Sequence, residues 1–165
     1  MGTLTRLAVV VTLLCGALGA RAQTIELVGA DGQTRAIGLD DLRKLAPREV
    51  TANDPHGKQP AKYRGTALWD VLSLAGVAHD APLARETLAA TVRVDATDRY
   101  QVAFSLAELD PATGSSDALL VWERDGGPLD APSAPYRLVV PTDKRGARWV
   151  RQVVRIRIER ASAPP

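Results

Sequence analysis

The sequence predicts an α+β domain, a mixed sheet with short helices. Extended runs outnumber helical ones, and each helical run stands alone between two strands. Turn chemistry supports the same reading. Asp31-Gly32, Thr97-Asp98-Arg99 and Asp125-Gly126-Gly127-Pro128 separate β-like runs as hairpins and tight turns do.

The elements follow in chain order. Residues 24–28 and Thr34–Ile37 are short β-like runs on either side of Asp31-Gly32. Leu39–Leu42 forms a helical turn, and residues 48–52 are extended before the loop Asn-Asp-Pro-His-Gly-Lys-Gln-Pro of residues 53–60. Thr66 is placed to cap the clearest helix, in which Leu68, Val71, Leu72 and Ala75 share one face, and Gly76 ends it. Residues 90–96 and 100–104 make the second hairpin. Ser105 and Glu108 have the spacing of a capping box, and Asp110-Pro111 stops the short helix they open. Residues 119–122 are a further strand. Residues 136–140 form an apolar strand ended by Pro141, and a basic loop follows. A long alternating strand then points Val154, Ile156 and Ile158 inward and Arg155, Arg157 and Glu159 toward water. A small-Leu-x-acid-Leu pattern occurs at residues 38–42 and again at 105–109, too short a match to mark a duplication.

Residues 1–22 have the order of a secretory signal: Arg6, an apolar run over residues 7–18, then Ala20-Arg21-Ala22. Cleavage is expected after Ala22. The apolar run is short for a membrane span, so no span is expected after cleavage, and the expected location is periplasmic or secreted. Residues 23–165 then form a single domain with a frayed tail from about residue 160. The signal holds Arg6 and Arg21 and no acid, so the 21 basic residues fall to 19, level with the 19 acidic ones. Neutral charge and an aromatic content of 4% argue against a nucleic-acid partner. Cys15 is the one cysteine and leaves with the signal, so the mature domain has no disulfide and no thiolate ligand.

The chain lacks a Gly-x-Ser-x-Gly elbow, a Gly-x-Gly-x-x-Gly turn, a phosphate loop and a His-Glu-x-x-His pair. The positive signal lies near the C-terminus, where Lys144, Arg145 and Arg148 surround Gly146, with Trp149 next. Glycine permits close backbone approach, and guanidinium groups hold a phosphate through paired donors. A basic turn before an amphipathic strand is the plainer account. The residues leave both readings open for Arg148, whereas alternation alone accounts for Arg155 and Arg157. His56 lies in Asp54-Pro55-His56-Gly57, which reads as a turn, and it has no partner cluster for a metal. Trp69 and Trp122 are expected in the core or an interface, and His79 in a solvated loop.

The order from Gly126 onward is a Gly-Pro turn, Arg-Leu-Val-Val-Pro, a basic loop and Gly-Ala-Arg-Trp-Val. It resembles the end of the molybdopterin-binding domain of the sulfite oxidase family. The resemblance extends from about Thr34 to Ile158, is most specific in the final third, and takes in the helix segment from Gly65 to Leu72. It implies the sulfite oxidase-like fold without the dimerisation domain of the larger enzymes. It also implies molybdopterin as the cofactor, with Lys144, Arg145, Gly146, Arg148 and Trp149 at the pterin phosphate. Asp98-Arg99-Tyr100 resembles a turn-aromatic segment of short relatives, or is simply a hairpin tip. His56 would be a replacement ligand, a pterin contact or a proton carrier if it is more than a turn residue.

In catalytic relatives, a cysteine in the loop after the corresponding strand holds molybdenum. Residues 53–60 offer no thiol, so molybdenum is not expected and no residue is assigned a catalytic or metal-ligating role. The expectation is a non-catalytic module that takes a pterin-like anion or a periplasmic redox partner. Two alternatives stay open: an oxidoreductase with a non-cysteine metal environment, and an accessory domain without a small ligand.

Overall fold

The computed structural model describes residues 23–54, 57, 59–79 and 81–161. The expected signal peptide, the tail beyond Ala161 and His56 itself lie outside the described residues. Strands β1 (Ile25–Val28) and β2 (Thr34–Ile37) lead through helix α1 (Leu39–Leu42) to β3 (Pro47–Asn53), β4 (Pro60–Ala67) and helix α2 (Leu68–Ser73). After a 3-10 turn at Arg85–Thr87 come β5 (Thr91–Ala96), β6 (Gln101–Ser105) and helix α3 (Leu106–Leu109). The chain continues through β7 (Leu119–Arg124), β8 (Gly127–Pro128) and β9 (Arg137–Val139). A second 3-10 turn, Gly146–Arg148, precedes β10 (Val153–Glu159).

These strands form two sheets. One has the order β2-β1-β10-β5-β6, with β10 parallel to β1 and antiparallel to β5. The other has the order β3-β4-β7-β8, with β9 also paired to β7. The first sheet is therefore mixed, as the sequence predicts, and the pairings of the second are antiparallel. The hairpin turns fall where expected, with Gly32 (φ 80°) between β1 and β2 and Arg99 (φ 71°) between β5 and β6. Asp125 (φ 51°) and Gly126 (φ 81°) together turn β7 into β8.

One buried apolar cluster draws on both sheets, including Ile25, Leu27, Val92, Val94 and Ile156 from the first and Tyr63, Leu120 and Leu138 from the second. Helix α2 buries Leu68, Trp69, Val71 and Leu72. Packing of that face sustains six residues of helix, a length that propensity alone would not hold. Thr66 is not its cap. It lies in β4, fully buried, and its hydroxyl donates to the Ala46 carbonyl at 3.1 Å, while Ala67 takes the cap position without a side-chain bond. Gly65 just before it meets β7 so closely that a Cβ would run into the Leu120 carbonyl and the Val121 Cα. The recurring small-Leu-x-acid-Leu pattern has a local cause. In α1 the Asp41 carboxylate accepts from the Gly38 N–H, and in α3 Glu108 does the same for Ser105, each at 3.2 Å.

One further expectation changes. The inward residues of β10 are Val153, Ile156 and Ile158, because the register against β5 shifts between Val153 and Arg155. That bulge reverses the alternation, leaving Val153 1% exposed and Val154 36% exposed. His79 lies exposed in the loop after α2, as expected, and makes side-chain contacts there. Its ring stacks on Trp69 with centroids 4.7 Å apart, and its Nδ1 lies 3.8 Å from the Asp70 carboxylate.

The backbone from β9 to β10 positions everything that follows. Leu138 N–H donates to the Val150 carbonyl at 2.7 Å, and Val153 N–H donates to the Tyr136 carbonyl at 3.0 Å. The basic excursion of residues 141–149 is thereby pinned at both ends.

Candidate functional site

The basic excursion places its residues in different roles. Arg148 turns toward carboxylates: two of its nitrogens meet Asp143 at 2.6 and 2.9 Å, and a third meets Glu108 at 2.7 Å. Its guanidinium also lies 4.5 Å from the Phe104 ring centroid. The Asp143 bonds, then Glu108, raise its pKa against partial burial, so its charge is permanent. Arg148 thus ties the 3-10 turn to α3 and β6. Trp149 is buried, with its indole N–H donating to the Val140 carbonyl at 2.9 Å. Lys144 and Arg145 are exposed.

Gly146 and Trp149 do border a concavity. They line a pocket of about 370 Å³ with Ala96, Asp98, Tyr100, Ala147 and Arg151. The pocket forms because the tip of the β5–β6 hairpin faces the 3-10 turn. Asp98 accepts from the Tyr100 N–H at 2.9 Å, and the half-exposed Tyr100 donates its hydroxyl to the Ala147 carbonyl at 2.6 Å. Arg151 is exposed at the wall. Arg148 does not line the pocket. The Asp98-Arg99-Tyr100 segment is therefore both a hairpin tip and a pocket wall.

A second cluster lies behind Trp149. Arg137, on the central apolar run, is 97% buried and sits against the Trp149 ring at 5.3 Å and the Tyr63 ring at 5.8 Å. Its two terminal nitrogens grip Asp54 at 2.9 and 3.2 Å. The Tyr63 hydroxyl donates to the same carboxylate at 2.9 Å, and Arg124 reaches it at 3.4 Å. Burial of the Tyr63 hydroxyl, followed by its bond to Asp54, pushes its pKa up to about 12 despite Arg137 and Arg124. Tyr63 therefore remains a donor at neutral pH. The Trp149 ring meets Tyr63 edge-on at 5.9 Å, so one indole separates this cluster from the pocket.

Asp54 opens the loop after β3. The Gly57 N–H donates to the Asp54 carbonyl at 2.9 Å, the bond expected of an Asp-Pro-His-Gly turn. The placement of His56 within it lies outside the described residues. The sequence marks the loop but not its anchor. Arg137 was the available signal, since a guanidinium inside an apolar strand requires a buried partner.

The chain matches the family described as "Oxidoreductase molybdopterin binding domain" over residues 18–164. It belongs to that family. Among solved structures, the sulfane dehydrogenase SoxCD from Paracoccus pantotrophus is similar with a TM-score of 0.64 and 20% identity, covering 87% of this chain. This family member spans only 40% of that SoxCD chain. Among curated proteins, none matches. The fold is thus the sulfite oxidase-like one.

The family implies molybdopterin, and the two parts of that cofactor fare differently here. The Tyr100–Trp149 pocket, with Arg151 on its wall and Lys144 and Arg145 in the adjoining turn, suits a planar ring bearing an anion. The metal does not fit. No cysteine occurs after Cys15, and among the described residues no group of three or more His, Cys, Asp and Glu could hold a metal ion. The loop where the resemblance expects a thiolate begins with a carboxylate whose two oxygens are already engaged by Arg137.

Proposed function

We propose that this domain is an exported, non-catalytic member of its family that binds a pterin-like anion or a periplasmic redox partner through the Tyr100–Trp149 face. The observation that carries the reading is the engagement of Asp54. A soft thiolate is the donor that suits molybdenum in the relatives, and a carboxylate held by two guanidinium groups is a poor substitute. Molybdopterin with its metal would supply two-electron redox chemistry. The work of this chain's own residues is recognition. Arg151, Lys144 and Arg145 would meet an anionic tail, while Tyr100 and Trp149 present aromatic surface beside backbone that Gly146 keeps accessible.

Two observations weigh on the alternatives. Full engagement of Asp54 counts against an oxygen-ligated metal in that loop. An open pocket of about 370 Å³ counts against an accessory domain that needs no ligand. Export rests on residues 1–22, and no helix among the described residues is long and apolar enough to cross a membrane.

The test is activity. Protein matured with the cofactor supply intact should turn over neither sulfite nor methionine sulfoxide. Robust turnover that disappears in His56→Ala would replace the binding reading with that of an oxidoreductase having a non-cysteine metal environment.

A further inference from the structure

The cluster around Asp54 has more donors than a structural ion pair requires. Two guanidinium groups and a phenol converge on one carboxylate, and among the described residues only Arg124 has a second carboxylate partner, Asp125 at 3.4 Å. Arg137 is 97% buried, and its Nε finds no hydrogen-bond partner among the described residues. A buried cation with an idle donor is costly unless an anion lies close, so the site's stability depends on whatever oxyanion it holds.

We propose that Arg137, Arg124 and Tyr63 form an oxyanion-binding site that the chain fills with its own Asp54 carboxylate. The ligand class is a small planar oxyanion of carboxylate size. Arg137 supplies the two-point grip that matches such a group, Tyr63 adds an in-plane donor, and Arg124 closes the more exposed side. The Tyr63 and Trp149 rings flank the Arg137 guanidinium at 5.8 and 5.3 Å, contacts that do not involve the carboxylate. The donors are therefore arranged by β4, β7 and β9, independently of the loop that delivers Asp54. With Asp54 in place, the site takes no oxyanion from solution. This inference deepens the non-catalytic reading, since it explains how a domain without the metal keeps a buried cationic centre intact.

The experiment removes the internal ligand and offers an external one. Asp54→Ala should lower Tm by about 10 °C, the effect of stranding a buried guanidinium. Formate or acetate should recover at least half of that loss with saturation, whereas chloride at matched ionic strength should not. The wild type should gain nothing specific from either carboxylate. In Asp54→Ala/Arg137→Met the carboxylate effect should vanish. Equal recovery by chloride, or no recovery by formate and acetate, overturns the proposal. If Asp54→Ala does not fold in chloride, refolding yield is read instead: yield restored by formate supports the site, and yield unchanged by it rejects the site. These readouts involve neither cofactor nor turnover, so their failure is distinguishable from failure of the non-catalytic reading.

Discussion

Arg148 and Arg137 are both arginines bound to carboxylates, and they do opposite things for the domain. Arg148 is 33% exposed, with Asp143 five residues away and Glu108 on a neighbouring helix. Water screens that cluster, and its effect is to hold a turn in place. Arg137 is 3% exposed and bound to Asp54 across 83 residues of chain. Solvent cannot replace its partner. The difference teaches that the conspicuous basic segment shapes the pocket wall, while the electrostatic centre of the domain is a residue hidden in an apolar strand.

The largest break in this comparison should come from stranding the buried charge. Asp54→Asn is expected to destabilise by about 3–5 kcal/mol, because it leaves Arg137 desolvated without a counter-charge. Replacing both partners by apolar residues should cost less than either single change. Chemical denaturation of the two single variants and the double variant measures this directly, and additive losses would show that the pair is not coupled.

A pH titration sharpens the same point through Tyr63. Its folded-state pKa is raised from the ordinary value near 10 to about 12, so the native state holds the phenolic proton more tightly than the unfolded chain. The associated stability is fully present below pH 10 and is lost as pH rises through 12. The loss amounts to about 2–3 kcal/mol at most. Tyr63→Phe should flatten that part of the profile, which the difference in unfolding free energy between pH 9 and pH 12 reads out.

Arg148→Ala should have the smallest effect on stability, about 1 kcal/mol, consistent with a partly exposed cluster. Its consequence should be local. Loss of the tie to Asp143 and Glu108 frees the 3-10 turn, so hydrogen exchange should rise at Gly146 and Ala147 and stay unchanged in β9. Protection lost equally in both regions would dissolve the distinction between the two arginines.

Much of the architecture is legible because its signals are local. Asp31-Gly32 and Asp125-Gly126 mark turns by backbone preference, and the Ser105–Glu108 spacing marks a helix start by reciprocal bonding. The misreadings have equally definite causes. Val154 reads as inward because strict alternation has no place for the bulge between Val153 and Arg155. Thr66 reads as a cap because its residue type suits one, yet burial against Ala46 gives its hydroxyl another acceptor. The Gly146–Trp149 segment is recognisable from neighbouring residues, but the partners of Arg148 are not. Asp54, Tyr63, Arg124 and Arg137 come from three strands and a loop, so only the fold brings them together.

Native mass spectrometry of protein purified from the exporting host with its molybdopterin supply intact tests the central claim most directly. The account predicts a chain beginning at Gln23, alone or carrying an organic pterin-type ligand or a partner, and without molybdenum. One molybdenum per chain, retained in the wild type and lost in His56→Ala or Asp54→Asn, would contradict it.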